Sequence, residues 1–468
     1  MKKLILIYSL FFLAAGTQLS CKKELNALPS QSKVVGNAIV DQKTAEVALN
    51  GVYLRLAEGG DDRGTPSILW AENHEIVPTY LAGYITYPNG GSSLDENNRI
   101  TGTDYRVESL WATYYSLLNA ANGVIEQVSK LQDNQFSGAR KSEIIAEARL
   151  LRAYGHHYLL RYFAQFYDLN SNYGVMLRKE FVTTNNISQK RSSVKESYDF
   201  ILADLDDAIA NCPTVSVNYY TNKWVAKALK ARVLMIRGAA GDYQEVISLT
   251  KDIIEHSPYM LEANLQDIFS TKGLDSKEVM LGLVPKVNQV TRSDAYFYRN
   301  SPSYTATPSL KALFENDPRS SWMIGVVGTE PDGILKYKGP KVEFSYALRL
   351  SEIYLLEAEA IVRSGGNLGE ARTLLKTVQQ HAGVTDFSEI DNAGTPDLLL
   401  IQIYKETARN LSFEDGQDWS ALLRMPLPFV LSVKAAITDK NHFILPIPKD
   451  EFDKNPIIGD QNPGYSKN

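Results

Sequence analysis

Histidines and carboxylates are the first residues to test for chemistry, and none stands at a catalytic spacing. His74-Glu75 lacks the second histidine of a His-Glu-x-x-His zinc site. His156-His157 are neighbours on a helical pattern, so they point to different faces and do not share a metal. The chain holds no Gly-x-Ser-x-Gly elbow and no Gly-x-x-x-x-Gly-Lys-Ser/Thr phosphate loop. Glycoside hydrolysis needs two placed carboxylates, and the 54 acidic residues offer no pair marked out by spacing. The reading is therefore of a protein that is not an enzyme, with no cofactor and no bound metal.

The chemistry that the residue types do suit is non-covalent. A sugar site needs flat aromatic faces, with amides, carboxylates and arginines to bond hydroxyls. The chain has 26 Tyr, 16 Phe and 5 Trp, and two loop-rich stretches concentrate them. In the first, Trp70, Tyr80, Tyr84 and Tyr87 lie near Glu72, Asn73 and Asn89. In the second, Tyr296, Tyr298, Tyr304 and Trp322 lie near Arg292, Asp294 and Arg299. Tyr296 and Tyr298 are two apart, so on an extended chain they share a side. The competing reading is that these aromatics pin the loops to a scaffold. Tyr154, Tyr158 and Tyr162 recur every four residues on a helix, which predicts core packing.

The elements that must position these residues are mostly helices. Apolar periodicity predicts helices over 44–56, 107–131, 140–167, 221–237, 344–364 and 368–381. Ser193 with Glu196 is a capping-box signal for a helix through Ile209, and Pro396 suits the first turn of one over 397–413. Gly241-Asp242-Tyr243 turns the chain into a further helix that ends near Pro258. Ser364-Gly365-Gly366-Asn367 reads as a helix-ending turn. Helix, glycine turn, helix recurs around 226–253 and 366–378, a layout like tetratricopeptide units without a strict period. Residues 58–104 and 270–340 read as loop-rich inserts, and the proline-rich tail 425–468 as an extended wrap over the surface.

Composition narrows the function classes. A net charge of -5 without a basic tract argues against nucleic acid as a partner. After the first twenty residues no apolar run approaches a membrane span. Those twenty have a positive start at Lys2-Lys3, an apolar run from Leu4 to Ala15, and then Leu19-Ser20-Cys21. The run has the length of a signal-peptide core. Leucine two before cysteine resembles a bacterial lipobox, which implies cleavage before Cys21 and lipid on its thiol. The expected division is a signal at 1–20, a tether at 21–40 and one domain at 41–468. Cys212 then has no partner, and Cys212-Pro213 ends a helical pattern, which reads as a small buried residue.

Several separated blocks resemble the SusD/RagB family of Bacteroidetes outer-membrane nutrient-binding lipoproteins. They are Ala48-Leu49-Asn50-Gly51-Val52-Tyr53, Asn119-Ala120-Ala121-Asn122, Glu147-Ala148-Arg149-Leu150-Leu151-Arg152-Ala153 and Tyr198 through Ala208. The run Leu348 to Ala360 and the ending, Leu445-Pro446-Ile447-Pro448 and Gln461-Asn462-Pro463-Gly464-Tyr465, are similar too. The blocks keep the family's order from the signal to the last residues. One departure is Glu406-Thr407-Ala408-Arg409-Asn410-Leu411 followed by Phe413 to Trp419, where the family's arginines and second glutamate are replaced or shifted. That change predicts fewer local salt bridges. The resemblance implies a mainly α fold, a tetratricopeptide-like α/α superhelix whose two inserts form the ligand face. It also implies a lid over a SusC-like TonB-dependent transporter at the outer face of the outer membrane. The ligand implied is a glycan or oligosaccharide, with a peptide as the alternative. A helical-repeat adaptor with no ligand of its own is the further alternative.

Overall fold

The computed structural model describes residues 38–57, 70–88, 100–284, 293–339 and 344–467. The export signal, Cys21, the tether up to residue 37 and parts of both inserts lie outside the described residues. Nine long helices among the described residues carry the scaffold. They are α1 (Gln42–Ala57), α2 (Tyr105–Ser129), α3 (Arg140–Phe163), α4 (Val194–Asn211), α5 (Lys223–Arg237), α6 (Asp242–His256), α7 (Leu350–Arg363), α8 (Leu368–His381) and α9 (Pro396–Asn410). Each packs on the next from α1 to α6. Across the second insert α6 packs on α7, and α7 packs on α8 and α9. The expected mainly α superhelix of helical pairs is the observed fold.

Local chemistry explains the helix limits. Ser193 and Glu196 form both bonds of the capping box at the start of α4. The Asn222 side chain accepts from two backbone N–H groups at the start of α5, and Thr395 caps α9 ahead of Pro396. Outer helices bury one stripe; in α8 it is Ala371, Leu375 and Val378. The C-terminal half of α3 is buried all round, because helices pack on it from several sides. Tyr154, Tyr158 and Tyr162 are core, with Tyr154 and Tyr158 ring centres 4.5 Å apart. A Cβ on Gly155 would come 2.8 Å from Leu118 Cδ2, so a larger residue at the α2–α3 crossing would displace that leucine. Cys212 is buried, and burial raises its thiol pKa above the ordinary range, which fits a packing role.

The inserts differ from expectation in part. Residues 71–81 were expected in loops; instead a widened turn over Ala71–Ile76 runs into a short helix, Val77–Leu81, and both are largely buried. The second insert supplies small strands: β1 (Ile85–Thr86), from the first insert, joins β5 (Thr305–Ala306), β7 (Glu330–Ile334) and β6 (Ile324–Val327) in an antiparallel sheet of order β1-β5-β7-β6. The strands β3 (Phe297–Tyr298) and β4 (Ser301–Pro302) form a hairpin. The helix predicted from Phe344 begins only at Leu350. Before it, β8 (Ser345–Arg349) pairs with β2 (Val279–Leu283), so tertiary pairing overrides the helical pattern. The tail is less superficial than a surface wrap: Phe443, Ile444, Leu445 and Ile447 are buried.

The densest polar interior lies around Phe413–Trp419. Glu414 accepts from Arg349 Nε at 2.6 Å and from Lys336 Nζ at 2.5 Å. Asp415 accepts from Arg232 Nη1 at 2.8 Å and from Tyr154 at 2.7 Å, and meets His74 Nδ1 at 2.9 Å. Arg232 also holds Glu352, and Arg349 also holds Glu278. Nearby, Arg319 bridges Asp317 and Glu406. The expectation of fewer salt bridges here is overturned. The replaced arginines are supplied by distant elements, α5, β8 and the second insert. Burial opposes ionisation of Glu414, but Arg349 and Lys336 outweigh it and hold the carboxyl below its usual range. Among the described residues Asp418 has no ion pair; it accepts from Thr79 at 2.5 Å and from the Trp419 N–H at 2.7 Å. Burial pushes its pKa up to about 6.

Two outcomes follow from this interior. Arg349→Met leaves buried Glu278 without its cation and Glu414 with Lys336 alone, and is expected to cost about 3–5 kcal/mol in urea unfolding. Lys449→Ala, which breaks an exposed pair with Asp453, is expected to change stability by under about 1 kcal/mol. Equal effects of the two would count against an interior held by buried charge. Asp418 has a raised pKa in the fold, so its contribution is present below the ordinary aspartate pKa and is lost as pH rises through about 6. Asp418→Asn removes that titration. Its stability relative to wild type should rise by about 2 kcal/mol between pH 4.5 and 7.5. A pH-independent difference would show that Asp418 does not titrate in this range.

Candidate functional site

Most of the aromatics marked out by the sequence turn inward. Trp70 is 1 % exposed and stacks on His74, with ring centres 3.6 Å apart. Tyr84 meets the Tyr404 hydroxyl in the core, and the Tyr80 hydroxyl accepts from the Tyr87 N–H. Tyr296 is buried and donates to Glu75 at 2.8 Å. In this fold Trp70, Tyr80, Tyr84 and Tyr296 are buried among the inserts and the scaffold and offer no ring face to a ligand. Trp322 is half-buried against Phe269, with ring centres 5.8 Å apart. Tyr296 ends a short helix and Tyr298 ends β3, so the two do not share one extended strand. Arg292 and the side chains of Asp294 and Tyr298 lie outside the described residues. Arg299 is exposed at the tip of the β3–β4 hairpin. It and Asn300 have φ of 49° and 63°, the geometry of a tight two-residue turn.

Tyr87, with Tyr304 packed behind it, does reach a polar surface. Tyr87 is half-buried, faces Tyr304 at 5.1 Å between ring centres, and accepts from Arg106 Nη2 at 2.6 Å. Tyr304 itself is 8 % exposed, so it backs Tyr87. Arg106 lies at the start of α2, where the Asp104 side chain caps the helix by accepting from the Arg106 N–H. The guanidinium sits 4.5 Å over the Tyr105 ring and 3.7 Å from the Glu72 carboxylate. Tyr105 donates to Glu72 at 2.8 Å while 57 % of it remains exposed. Partial burial and the Glu72 carboxylate raise the Tyr105 pKa above its ordinary range, so its hydroxyl stays a donor.

This wall borders a cleft of about 550 Å³ between the first turns of α2 and the segment Pro448–Lys454. Glu72, Asn73, Tyr105, Arg106, Glu108 and Ser109 line one side, with Trp111 deeper; Asp450, Glu451 and Lys454 line the other. Trp111 Nε1 donates to Glu451 at 3.1 Å, and Asn73 donates to Thr113 at 3.2 Å. An exposed ring beside closely spaced donors and acceptors can bind a polyhydroxylated ligand without covalent chemistry. Sequence reasoning assigned Tyr105, Arg106, Glu108 and Trp111 to the scaffold because they begin a long helix. The available signal was an aromatic and an arginine directly after a capping Asp104, at the end of an insert.

Comparison with known proteins agrees with this architecture. A family model described as starch-binding associating with outer membrane matches residues 72–235, and the SusD family model matches 338–465. A SusD-like protein of Bacteroides ovatus is 26% identical, over an alignment that spans 62% of the chain and 62% of that relative. A SusD superfamily structure from Bacteroides thetaiotaomicron superposes with a TM-score of 0.74 at 21% identity, covering 91% of this chain and 100% of that one. A laminarin binding SusD-like protein gives a TM-score of 0.69 at 21% identity, covering 91% and 100%. With both halves of the helical scaffold matched in order and the fold shared over nearly the whole described chain, the protein belongs to the SusD/RagB family.

Proposed function

We propose that the protein is a non-catalytic glycan-binding lipoprotein of the outer membrane, anchored through Cys21 on the outer face. It captures oligosaccharide and passes it to a SusC-like TonB-dependent transporter. The observation that carries the binding reading is Tyr105, an exposed ring fixed by Glu72 and Arg106 at the mouth of the cleft. The first matched family model is described as starch-binding and outer-membrane associated, and one structural neighbour binds laminarin, which supports a glycan over a peptide. Among the described residues no helix is long and apolar enough to cross a membrane, so the anchor reading rests on Leu19-Ser20-Cys21.

Affinity for a glycan panel tests the site. Tyr105→Ala lies at the surface and should leave the fold intact while weakening binding by about tenfold. Glycan binding that survives unchanged in both Tyr105→Ala and Arg106→Ala would remove the cleft as the site. Peptide binding without glycan binding would favour the alternative ligand. For the anchor, Cys21→Ser should abolish incorporation of radiolabelled fatty acid and release the protein from the membrane fraction. Continued labelling of that variant would sink the lipoprotein assignment.

A further inference from the structure

The charges around the cleft discriminate among glycans. Among the described residues four carboxylates line it, Glu72, Glu108, Asp450 and Glu451, against two cations, Arg106 and Lys454. Both cations are already engaged. Arg106 donates to the Tyr87 hydroxyl and stands 3.5 Å from the Asp104 carboxylate and 3.7 Å from Glu72. Lys454 donates to Asp450 at 2.8 Å. The N-terminus of α2, which would otherwise attract an anion, is occupied by the Asp104 side chain. Glu451 is held by Trp111 Nε1 and by Asn455 at 3.1 Å. The Glu108 side chain is exposed on the cleft wall and makes no hydrogen bond or ion pair among the described residues; its charge acts on Lys454 across the cleft, an ammonium already paired with Asp450.

We infer that this cleft selects uncharged glycans and excludes those bearing uronate, sulfate or sialyl groups. The inference rests on the glycan-binding reading above and adds the ligand's charge class. Three features that draw anions into a site are a free guanidinium, a free ammonium and an open helix N-terminus. Here the protein's own carboxylates meet all three, and a net negative rim remains. An anionic sugar must approach that rim where each cation among the described residues already faces a carboxylate, whereas hydroxyls can exchange bonds with the carboxylates and with Ser109 directly. The rim is partly exposed, so the exclusion is screened by salt.

The test is binding of the full-length protein to a printed panel of neutral oligosaccharides and of uronate- or sulfate-bearing ones, with calorimetry on the best of each class. At low salt the best neutral glycan should bind at least about tenfold more tightly than the best anionic one, and the gap should narrow as the Debye length falls from roughly 30 Å at 0.01 M to roughly 8 Å at 0.15 M. Glu108→Lys should cut the neutral-to-anionic affinity ratio by about tenfold, a change of about 1.4 kcal/mol in relative binding. Anionic glycans binding as tightly as neutral ones at low salt, or a ratio untouched by Glu108→Lys, would overturn the charge selection while leaving glycan binding in place. Absence of binding to either class would instead refute the glycan reading, and the charge selection with it.

Discussion

Burying several carboxylates within a few residues of one another is the constraint on which this structure turns. Glu414, Asp415 and Asp418 are each almost wholly removed from water. An unpaired carboxylate in such a place costs several kcal/mol, so each needs partners of fixed geometry. The partners come from far along the chain: Arg232 from α5, Arg349 from β8, Lys336 from the second insert, His74 and Thr79 from the first. One short segment thus ties both inserts to the helical scaffold. The backbone conforms to this role. Phe413, Asp415 and Gly416 all have positive φ, and a Cβ on Gly416 would come within 2.9 Å of both Arg161 and Pro78. Non-glycine residues held in that region are tolerated only where surrounding bonds over-determine them.

The candidate cleft depends on this hub through one short segment. In the widened turn Ala71–Ile76, His74 bonds Asp415 and Glu75 accepts from Tyr296, both on the inner side. Burial lowers the His74 pKa despite the opposing pull of Asp415. A histidine kept neutral can meet Asp415 without adding a second buried cation beside Arg232. With the inner residues fixed, Glu72 is left to face outward, where it orients Tyr105 and Arg106. Widened turns of this kind occur often at functional sites, because they re-aim side chains that a regular helix would place elsewhere.

Legibility in the sequence followed the range of the forces involved. Helix pairs were readable because an apolar stripe and a capping residue are local: Ser193 with Glu196, Asn367 before α8, Pro396 in α9. β8 was not, because Ser345–Arg349 has no strand signature of its own and is extended only by pairing with β2. The salt bridges of Phe413–Trp419 were misjudged for the same reason. Local replacement of an arginine says nothing about an arginine more than sixty residues away, and Arg349 reaches Glu414 from that distance in sequence. The tyrosines every four residues in α3 were placed correctly, since helical spacing on a buried face is itself a packing signal.

The aromatic residues of the inserts show why residue type alone cannot locate a ligand face. A tryptophan or tyrosine suits a sugar and a core equally, since both present apolar area and tolerate one polar atom. What separates the two uses is the fate of that polar atom and of the ring face. Tyr84 and Tyr296 spend their hydroxyls on buried partners and their faces on neighbouring chain. Tyr105 anchors its hydroxyl on Glu72 and keeps much of its surface in water. The hub carboxylates Glu414, Asp415 and Asp418 are bonded inside the protein, so they have nothing to offer a ligand. Tyr105 and Glu108 are exposed at the cleft, and a sugar can cover them without disturbing a single buried pair of the hub. Change in the cleft can therefore alter the ligand while the hub holds the fold.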